Sequence, residues 1–481
     1  MLSVGPTLVL MVAAVVAAFA CVLTVVGAVQ LTANRKHGYF HLVIPAILIT
    51  TGVAMALSGR SMDFNGAQAV EGALKHPLAI WVQRLCTIVI LTASAERIIS
   101  HVSQQRPLFG TTPMLTLGFI AFWLGSVASP MLFSAHPAIV RESFYTLPIG
   151  LAALLLSADE GERTLLTARN SLFIFQLVSY LVLPVLPHVV LDTNYTQGLI
   201  PGLPRLAGLA PHAVILAMLA QVSLLCVWAR PYAHRHLNAA AWVLGLLTLV
   251  LAQSKTAWLS FSICALVMYL YRHGAALKQK LSDPESPQLG ILLAVCVLAG
   301  LAALMGEVLF GNADGRLSRF LSSDSGAQLT SLTGRDVIWA VAYDEWMRHP
   351  LFGYGPSFLD NAYRHSVGLL SATHGHNQYM DLLPRAGLVG AIPLTFYLIA
   401  MLGLAWRHAG ASRGLTLAFF LALALRAISE VPLTLSGYGP EFIGHLMLLI
   451  LLPAYSALLP QTGSAKPAAA DTAFARPSTQ S

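Results

Sequence analysis

The hydrophobic positions of this 481-residue chain fall into long apolar runs separated by short polar stretches. A helix needs about 20 apolar residues to cross the hydrocarbon core of a bilayer. Strands of a membrane barrel would instead alternate apolar and polar residues over about ten positions. The pattern therefore predicts membrane-spanning helices. The predicted spans lie at about residues 7–31, 39–57, 78–99, 113–133, 138–156, 171–190, 208–229, 238–253, 256–271, 289–310, 387–406, 414–428 and 441–459.

The composition supports a membrane location, because 56% of the residues are hydrophobic and only 10% are charged. Soluble domains carry about 25% charged residues. Inside lipid every backbone N–H and C=O group needs a partner within the protein, and helices supply one. The predicted fold class is an all-α polytopic membrane protein with 12 or 13 transmembrane helices, depending on whether residues 238–271 form one span or two. Residues 7–31 have no basic region ahead of them and are longer than a typical signal core, so they are interpreted as a span.

The net charge of +7 is spread over many short loops, which argues against a nucleic-acid partner. Short cytoplasmic loops of membrane proteins hold most of the lysines and arginines. Placing the first loop, with Arg35 and Lys36, in the cytoplasm puts fifteen basic residues on that side and seven on the other. The long polar segment of residues 311–386 is then predicted to face the outside, which in a bacterium is the periplasm.

The chain is predicted to consist of a helix bundle of about ten spans (1–310), a large, partly helical periplasmic loop (311–386), C-terminal transmembrane helices (387–459) and a disordered cytoplasmic tail (460–481). Within the loop, apolar spacing predicts a short helix over residues 336–348 that ends before Pro350. Neither a phosphate-binding glycine loop nor an Asp/Glu cluster of metal-ligand spacing is visible in the sequence. We therefore expect no cofactor and no catalytic metal ion.

The densest group of polar residues is 373–378 (THGHNQ), just ahead of the span that begins near Gly387. Histidine exchanges a proton near neutral pH, as a general base must. His374 and His376 are two residues apart, so they share a face only where the backbone is extended. One histidine is then expected to act as the base while the other binds or supports. A zinc site and plain interfacial polarity are the alternatives, and the zinc site lacks a third ligand at close spacing.

Three cations on the predicted periplasmic side are candidates for binding phosphate: Arg205, Arg335 and Lys255. The planar guanidinium of arginine matches pairs of phosphate oxygens. Basic residues are less common on the outer side of a membrane, so cations at that lipid boundary are expected to have a function. Binding the pyrophosphate of a lipid carrier would be such a function. The alternatives are snorkelling to the interface and local ion pairs, such as Arg335 with Asp336 or Arg426 with Glu430.

Several short blocks follow one another along the chain. They are residues 204–212 (PRLAGLAPH), 254–259 (SKTAWL), 333–339 (TGRDVIW), 349–355 (HPLFGYG), 374–377 (HGHN) and 387–390 (GLVG). In this order, and on the expected side of the membrane, the blocks resemble the O-antigen ligase and O-antigen polymerase superfamily. The resemblance covers about residues 200–400.

The resemblance implies an inverting, metal-independent membrane glycosyltransferase that takes a glycan from undecaprenyl pyrophosphate. The implied roles are catalytic for His376 and His374, donor pyrophosphate-binding for Arg205, Arg335 and Lys255, and supporting for Asn377 and His212. Two positions depart from the family pattern: Lys255 stands where arginine is common, and Arg385 stands where an acidic residue is common.

The expected function is that of an O-antigen ligase, which transfers O-polysaccharide to a sugar hydroxyl of lipid A–core and so completes lipopolysaccharide. Its partners would be the lipid-linked donor, the lipid A–core acceptor and membrane lipids. An O-antigen or exopolysaccharide polymerase and a protein O-oligosaccharyltransferase are alternatives that use the same donor. A transporter is the alternative of another class, but its substrate site would lie near the bilayer midplane, whereas the polar residues here concentrate in an outer loop.

Overall fold

The computed structural model describes residues 38–60, 76–193, 202–281, 335–370 and 372–458, together with part of residues 15–30. Within these ranges the chain is almost entirely helical, as the apolar runs predict. The longer helices are α1 (Val43–Ala56), α2 (Pro77–Ser103), α3 (Pro113–Phe133), α4 (Thr146–Leu154), α5 (Ala158–Val182), α6 (Ala213–Ala229), α7 (Arg235–Leu251), α8 (Lys255–Leu281), α9 (Arg335–Arg348), α10 (Asn361–Val367), α11 (Gln378–Arg407), α12 (Leu415–Ser429) and α13 (Phe442–Leu458). Short helical turns cover Phe40–Leu42, Arg141–Tyr145 and Pro187–Val190, and two short strands, β1 (Leu191–Asp192) and β2 (Arg205–Leu206), pair in antiparallel fashion.

Four of the described helices, α2, α3, α5 and α11, are long and apolar enough to cross a membrane, and five further apolar helices are shorter. The protein is therefore an all-α polytopic membrane protein. The predicted span at residues 289–310, most of the span at 7–31 and the tail at 460–481 lie outside the described residues.

Helix α5 begins at Ala158, well before the predicted span at residues 171–190. Its start is fixed by a capping box, in which the Ser157 side chain accepts the Glu160 backbone N–H and the Glu160 carboxylate accepts the Ser157 backbone N–H. Glu160 is buried and pairs with Arg97 at 2.7 Å. Hydropathy underestimates this helix because it counts Glu160 as an exposed charge, whereas Arg97 neutralises it inside the bundle.

Helices α6, α8 and α12 form a pillar that links the two ends of the molecule. Cys264 of α8 donates to the Ala418 carbonyl of α12 at 3.1 Å, and Gly414 lies against Met268. Later residues of α12 therefore contact earlier residues of α8, so these two helices are antiparallel. Gln221 of α6 donates to Ser260 of α8 at 2.8 Å, and Arg426 near the end of α12 donates to the Val214 carbonyl at the start of α6 at 3.4 Å. The N-termini of α6 and α8 and the C-terminus of α12 consequently lie at one end of the pillar.

Helix α11 is interrupted at Gly387, whose φ of 59° and ψ of −157° are not helical. Residues 349–355 fill the break: the N–H groups of Leu388 and Val389 donate to the carbonyls of Pro350 and Leu351 at 2.9 and 3.1 Å. A Cβ atom at Gly387 would lie 2.3 Å from the Leu351 carbonyl oxygen, so only glycine fits. Two of the sequence blocks thus dock onto each other through their backbones.

Candidate functional site

The loop that carries the two histidines is fixed at Gly375. Its carbonyl accepts the indole N–H of Trp339 from α9 at 2.8 Å, and its N–H donates to the Asp381 carboxylate of α11 at 2.8 Å. Asp381 also pairs with Arg385 at 2.9 Å. Helix α9, which the apolar spacing predicts, therefore positions the loop from one side while the first turn of α11 holds it from the other.

Asn377 joins the histidine loop to two helices. Its Oδ1 accepts the backbone N–H groups of Tyr379 and Met380, which caps the N-terminus of α11. Its Nδ2 donates to the carbonyl of Ile428 at 3.2 Å, near the end of α12. Asn377 therefore ties the histidine loop to the residues that precede Glu430.

Glu430, at the C-terminal cap of α12, lies between the two histidines. Its Oε2 is 3.4 Å from Nε2 of His374 and 3.6 Å from Nδ1 of His376. The two imidazole rings lie with their centroids 4.1 Å apart. His376 has a φ of 48°, an uncommon value for a residue with a side chain, and this backbone turn lets both rings approach one carboxylate.

The hydrogen bonds assign different roles to the two rings. Nδ1 of His374 accepts the backbone N–H of His376 at 3.2 Å, so the proton of a neutral His374 is on Nε2, the nitrogen that faces Glu430. Burial lowers the pKa of His374, although the charge of Glu430 opposes this shift. Both nitrogens of His374 are therefore engaged. In His376 only Nδ1 faces Glu430, at 3.6 Å, and neither ring nitrogen makes a hydrogen bond among the described residues.

Burial would raise the pKa of Glu430, but the nearby ring of His376 and the charges of His374 and Arg426 outweigh it and lower the pKa to about 2. A carboxylate at the C-terminus of a helix is otherwise disfavoured by the helix dipole. Arg335 offsets this effect, since its Nη2 lies 3.8 Å from Oε1 of Glu430. Because the folded-state pKa is below the usual 4.5, ionised Glu430 stabilises the fold above about pH 4.5 and loses this contribution as the pH falls towards 2.

Arg205 lies in strand β2, opposite Asp192 of β1, and is 6% exposed. Its Nε donates to the carbonyl of Ala252 at 2.9 Å, in the tight turn that leads to Lys255. Gln253 of that turn donates to the Leu203 carbonyl at 2.7 Å. The two upstream sequence blocks are therefore joined, and Arg205 lies beside the turn that Lys255 follows.

His212 is the N-terminal cap of α6. It caps α6 by accepting the Val214 N–H on Nδ1 at 3.2 Å. The charges of Arg205, Glu430 and His374 all act on this imidazole. Since α6 and α8 start, and α12 ends, at the same end of the pillar, Arg205, His212, Lys255 and Glu430 share that end with the two histidines.

The structure thus brings together residues that are far apart in the sequence. Among the described residues the ion pair of Arg335 is with Glu430 rather than with the adjacent Asp336. Sequence reasoning considered Glu430 only as a neighbour of Arg426 and missed its contact with the histidines. The sequence marks Glu430 only by its position, as an acidic residue after the apolar run of α12, where the helix dipole gives it no local support; it does not indicate the partner.

His374, His376 and Glu430 also offer three ligand atoms that lie within 4.8 Å of one another, an arrangement that could hold a metal ion. Spacing along the chain does not reveal this third ligand, because Glu430 comes from a different helix. Two histidines and a glutamate form the ligand set of several catalytic zinc sites. A metal ion is therefore a geometric alternative to a direct contact between the histidines and Glu430.

Among known families, a family model described as O-antigen ligase matches residues 240–395. The matched range contains Lys255, Arg335 and both histidines, whereas Arg205 and Glu430 lie outside it. A comparison with curated proteins found no match.

Proposed function

We propose that this chain, whose residues 240–395 match the O-antigen ligase family, is an O-antigen ligase of the Gram-negative inner membrane. It transfers O-polysaccharide from undecaprenyl pyrophosphate to a sugar hydroxyl of lipid A–core at the periplasmic face. One observation carries the proposal: His374, His376 and Arg335 converge on the single carboxylate of Glu430, at the end of the bundle that also holds Arg205 and Lys255.

His376 is proposed as the general base. Its Nδ1 faces Glu430, so Nε2 presents the lone pair that takes the proton from the acceptor hydroxyl. The oxygen freed of that proton attacks the anomeric carbon of the donor. Glu430 holds the ring and stabilises the imidazolium that forms, as a positioning carboxylate does in other acid–base sites. His374, engaged at both nitrogens, supports the loop.

The bond between the anomeric carbon and the pyrophosphate oxygen breaks as the new glycosidic bond forms, and undecaprenyl pyrophosphate leaves. Arg205, Arg335 and Lys255 are proposed to bind the pyrophosphate as charge builds on the leaving oxygen. Electrostatic stabilisation of this kind usually contributes more to catalysis than any other single effect. A single displacement inverts the configuration at the anomeric carbon.

The test is an assay of purified full-length protein with undecaprenyl-pyrophosphate-linked glycan, offered lipid A–core or a second lipid-linked glycan in separate reactions. A ligase forms product only with lipid A–core. Chain extension on the second lipid-linked glycan would instead identify a polymerase, and transfer to neither acceptor would contradict both assignments.

The proposed orientation predicts that the segment containing α10 is reached from the periplasm. In a variant whose five native cysteines are replaced by alanine, Ser366→Cys should react with a membrane-impermeant thiol reagent. Ser366 is exposed on α10, so access is limited by the membrane alone. The measurement is labelling of cells whose outer membrane is permeable. Gln104→Cys, exposed at the end of α2 and predicted to be cytoplasmic, is the control and should react only after the inner membrane is opened. The reverse pattern would invert the topology.

Transfer is expected to proceed without a divalent metal ion, because the proposed base needs direct contact between His376 and Glu430. Treatment of the purified protein with EDTA should leave the initial rate within about twofold of its starting value. Added Zn²⁺ should inhibit, since it would compete for the same atoms of His374, His376 and Glu430. If EDTA abolishes transfer and one metal ion restores it, the three residues are metal ligands and the base mechanism is wrong.

Glu430→Gln is expected to lower the initial rate at neutral pH by about tenfold, because the neutral amide cannot stabilise the imidazolium that forms on His376. Glu142→Gln, an exposed carboxylate, serves as the control. A Glu430→Gln variant that transfers at the parental rate would show that Glu430 does not support the base.

A further inference from the structure

A cleft rich in arginine lies at the opposite end of the pillar from the histidines. It encloses about 440 Å³, part of it open to the outside. Its walls come from the C-terminus of α6, the middle of α8, the turn before α12 and the C-terminal part of α13. The lining residues are Trp228, Ala229, Arg230, Met268, Arg272, Ala411, Ser412, Arg413 and Tyr455.

The position of the cleft follows from the helix directions. His212 begins α6 and Arg230 ends it, and the 17 residues between them form a helix about 25 Å long. Arg413 likewise precedes α12, whereas Glu430 follows it. The cleft is therefore separate from the proposed catalytic site by roughly the thickness of a bilayer core.

Three arginines line the cleft, and they differ in whether a carboxylate pairs with them. Arg230 is paired in a two-pronged contact with Glu162, at 2.5 and 2.8 Å. Arg272 and Arg413 are exposed, and neither has a carboxylate partner among the residues that the structure describes. The cleft therefore presents two uncompensated guanidinium groups beside one that is already neutralised, which favours an anionic ligand.

The backbone at Arg413 is held in an uncommon conformation. Its φ is 51°, a left-handed value that side chains other than those of Asn and Asp rarely adopt. The next residue, Gly414, packs so closely on α8 that a Cβ atom there would lie 3.0 Å from Cα of Met268. The tight packing of this turn fixes the position from which Arg413 extends into the cleft.

Aromatic residues mark this end as an interfacial region. Trp228 packs edge-on against Trp242 with ring centroids 5.6 Å apart, and the guanidinium of Arg169 lies 3.8 Å from the ring centre of Tyr232. Trp and Tyr concentrate where headgroups meet acyl chains. An anion bound here would therefore lie at headgroup depth, beside the half-buried ring of Trp228.

We propose that this cleft binds the phosphate headgroup of an anionic glycerophospholipid through Arg272 and Arg413. Arg230, fixed by Glu162, forms the wall against which the headgroup rests. In the orientation proposed above, the lipid belongs to the cytoplasmic leaflet, whose anionic surface attracts such arginines. The site is independent of glycan transfer, because none of its residues belongs to the proposed catalytic machinery.

The test measures the thermal unfolding midpoint of delipidated full-length protein in neutral detergent at increasing lipid concentrations. Dioleoyl-phosphatidylglycerol should raise the midpoint in a saturable way, and dioleoyl-phosphatidylcholine should not. Arg272→Gln and Arg413→Asn should each weaken the apparent affinity by about fivefold, and the double variant by about 25-fold. Asparagine is chosen at 413 because it tolerates the left-handed backbone.

Matched controls make the outcomes distinct. Arg407→Gln removes an exposed arginine near the same end of the bundle but outside the cleft, and should leave the affinity unchanged. Arg272→Lys with Arg413→Lys should retain most of the binding, which excludes misfolding as the cause of a loss. Equal stabilisation by phosphatidylcholine, or equal losses in the Arg407 and cleft variants, would overturn the proposal. Stabilisation by soluble glycerol phosphate to the same extent would overturn the lipid assignment in favour of a free phosphate ligand.

Discussion

Replacing His376 with alanine should lower the rate of glycan transfer by about 10² to 10⁴, the usual effect of losing a general base. The reason is geometric: His376 is held by Glu430 through Nδ1, and its Nε2 has no partner among the described residues. The measurement is the initial rate of transfer from undecaprenyl-pyrophosphate-linked glycan at saturating donor, with the amount of inserted protein determined for each variant.

His374→Ala should have a smaller effect, seen mainly in the apparent affinity for the acceptor. His374 accepts the N–H of His376 and faces Glu430, so its loss loosens the loop without removing the base. His365→Ala, at an exposed histidine of α10, is the matched control and should transfer at the parental rate. Equal and modest losses for His374 and His376 would contradict the division of roles.

Arg335→Ala and Arg205→Ala should each reduce transfer by about tenfold to a hundredfold. A charge-assisted hydrogen bond contributes about 1.5–3 kcal/mol, and each arginine is proposed to make at least one to the donor pyrophosphate. Lysine keeps the charge but not the planar pair of donors. The lysine variants should therefore retain part of the activity. The measurement is the initial rate against donor concentration for the alanine and lysine variants at both positions.

The chain offers controls for this experiment. Arg348, at the other end of α9 from Arg335, has a side chain that is 69% exposed, and Arg348→Ala should leave transfer unchanged. A purely structural ion pair between Arg335 and Glu430 predicts that Arg335→Ala combined with Glu430→Gln recovers the activity lost in Arg335→Ala. Full activity in both lysine variants, or losses that only follow the amount of inserted protein, would rule out pyrophosphate binding by these arginines.

Much of the fold could be predicted from sequence, because crossing a bilayer is a local requirement on about 20 consecutive residues. The helical membrane architecture and the family resemblance are confirmed. The prediction was wrong for the start of α5, where Arg97 and capping by Ser157 keep a charged first turn inside the bundle. Local hydropathy does not register a partner such as Arg97, since it comes from another helix.

The candidate site could be predicted only in part. The histidines are close together in the sequence and stand out as a cluster, as do the arginines at span ends. Glu430 is more than fifty positions from His376, and their contact depends on how α12 packs against the loop. No local pattern encodes that contact. The sequence of residues 349–355 (HPLFGYG) likewise predicts only the end of a helix, whereas in the structure its carbonyls accept hydrogen bonds from the interrupted helix α11.

The break in α11 at Gly387 has a consequence for how the protein can be divided. Leu388 and Val389 would lose their backbone partners if residues 349–352 were removed, because those partners are the carbonyls of Pro350 and Leu351. An unsatisfied backbone group inside a bilayer costs several kcal/mol. The segment of residues 349–352 therefore completes the hydrogen bonding of helix α11 and is not a separable module. Truncated chains that lack it should fail to insert α11 stably, and exchange with a relative's segment requires that α11 be exchanged with it.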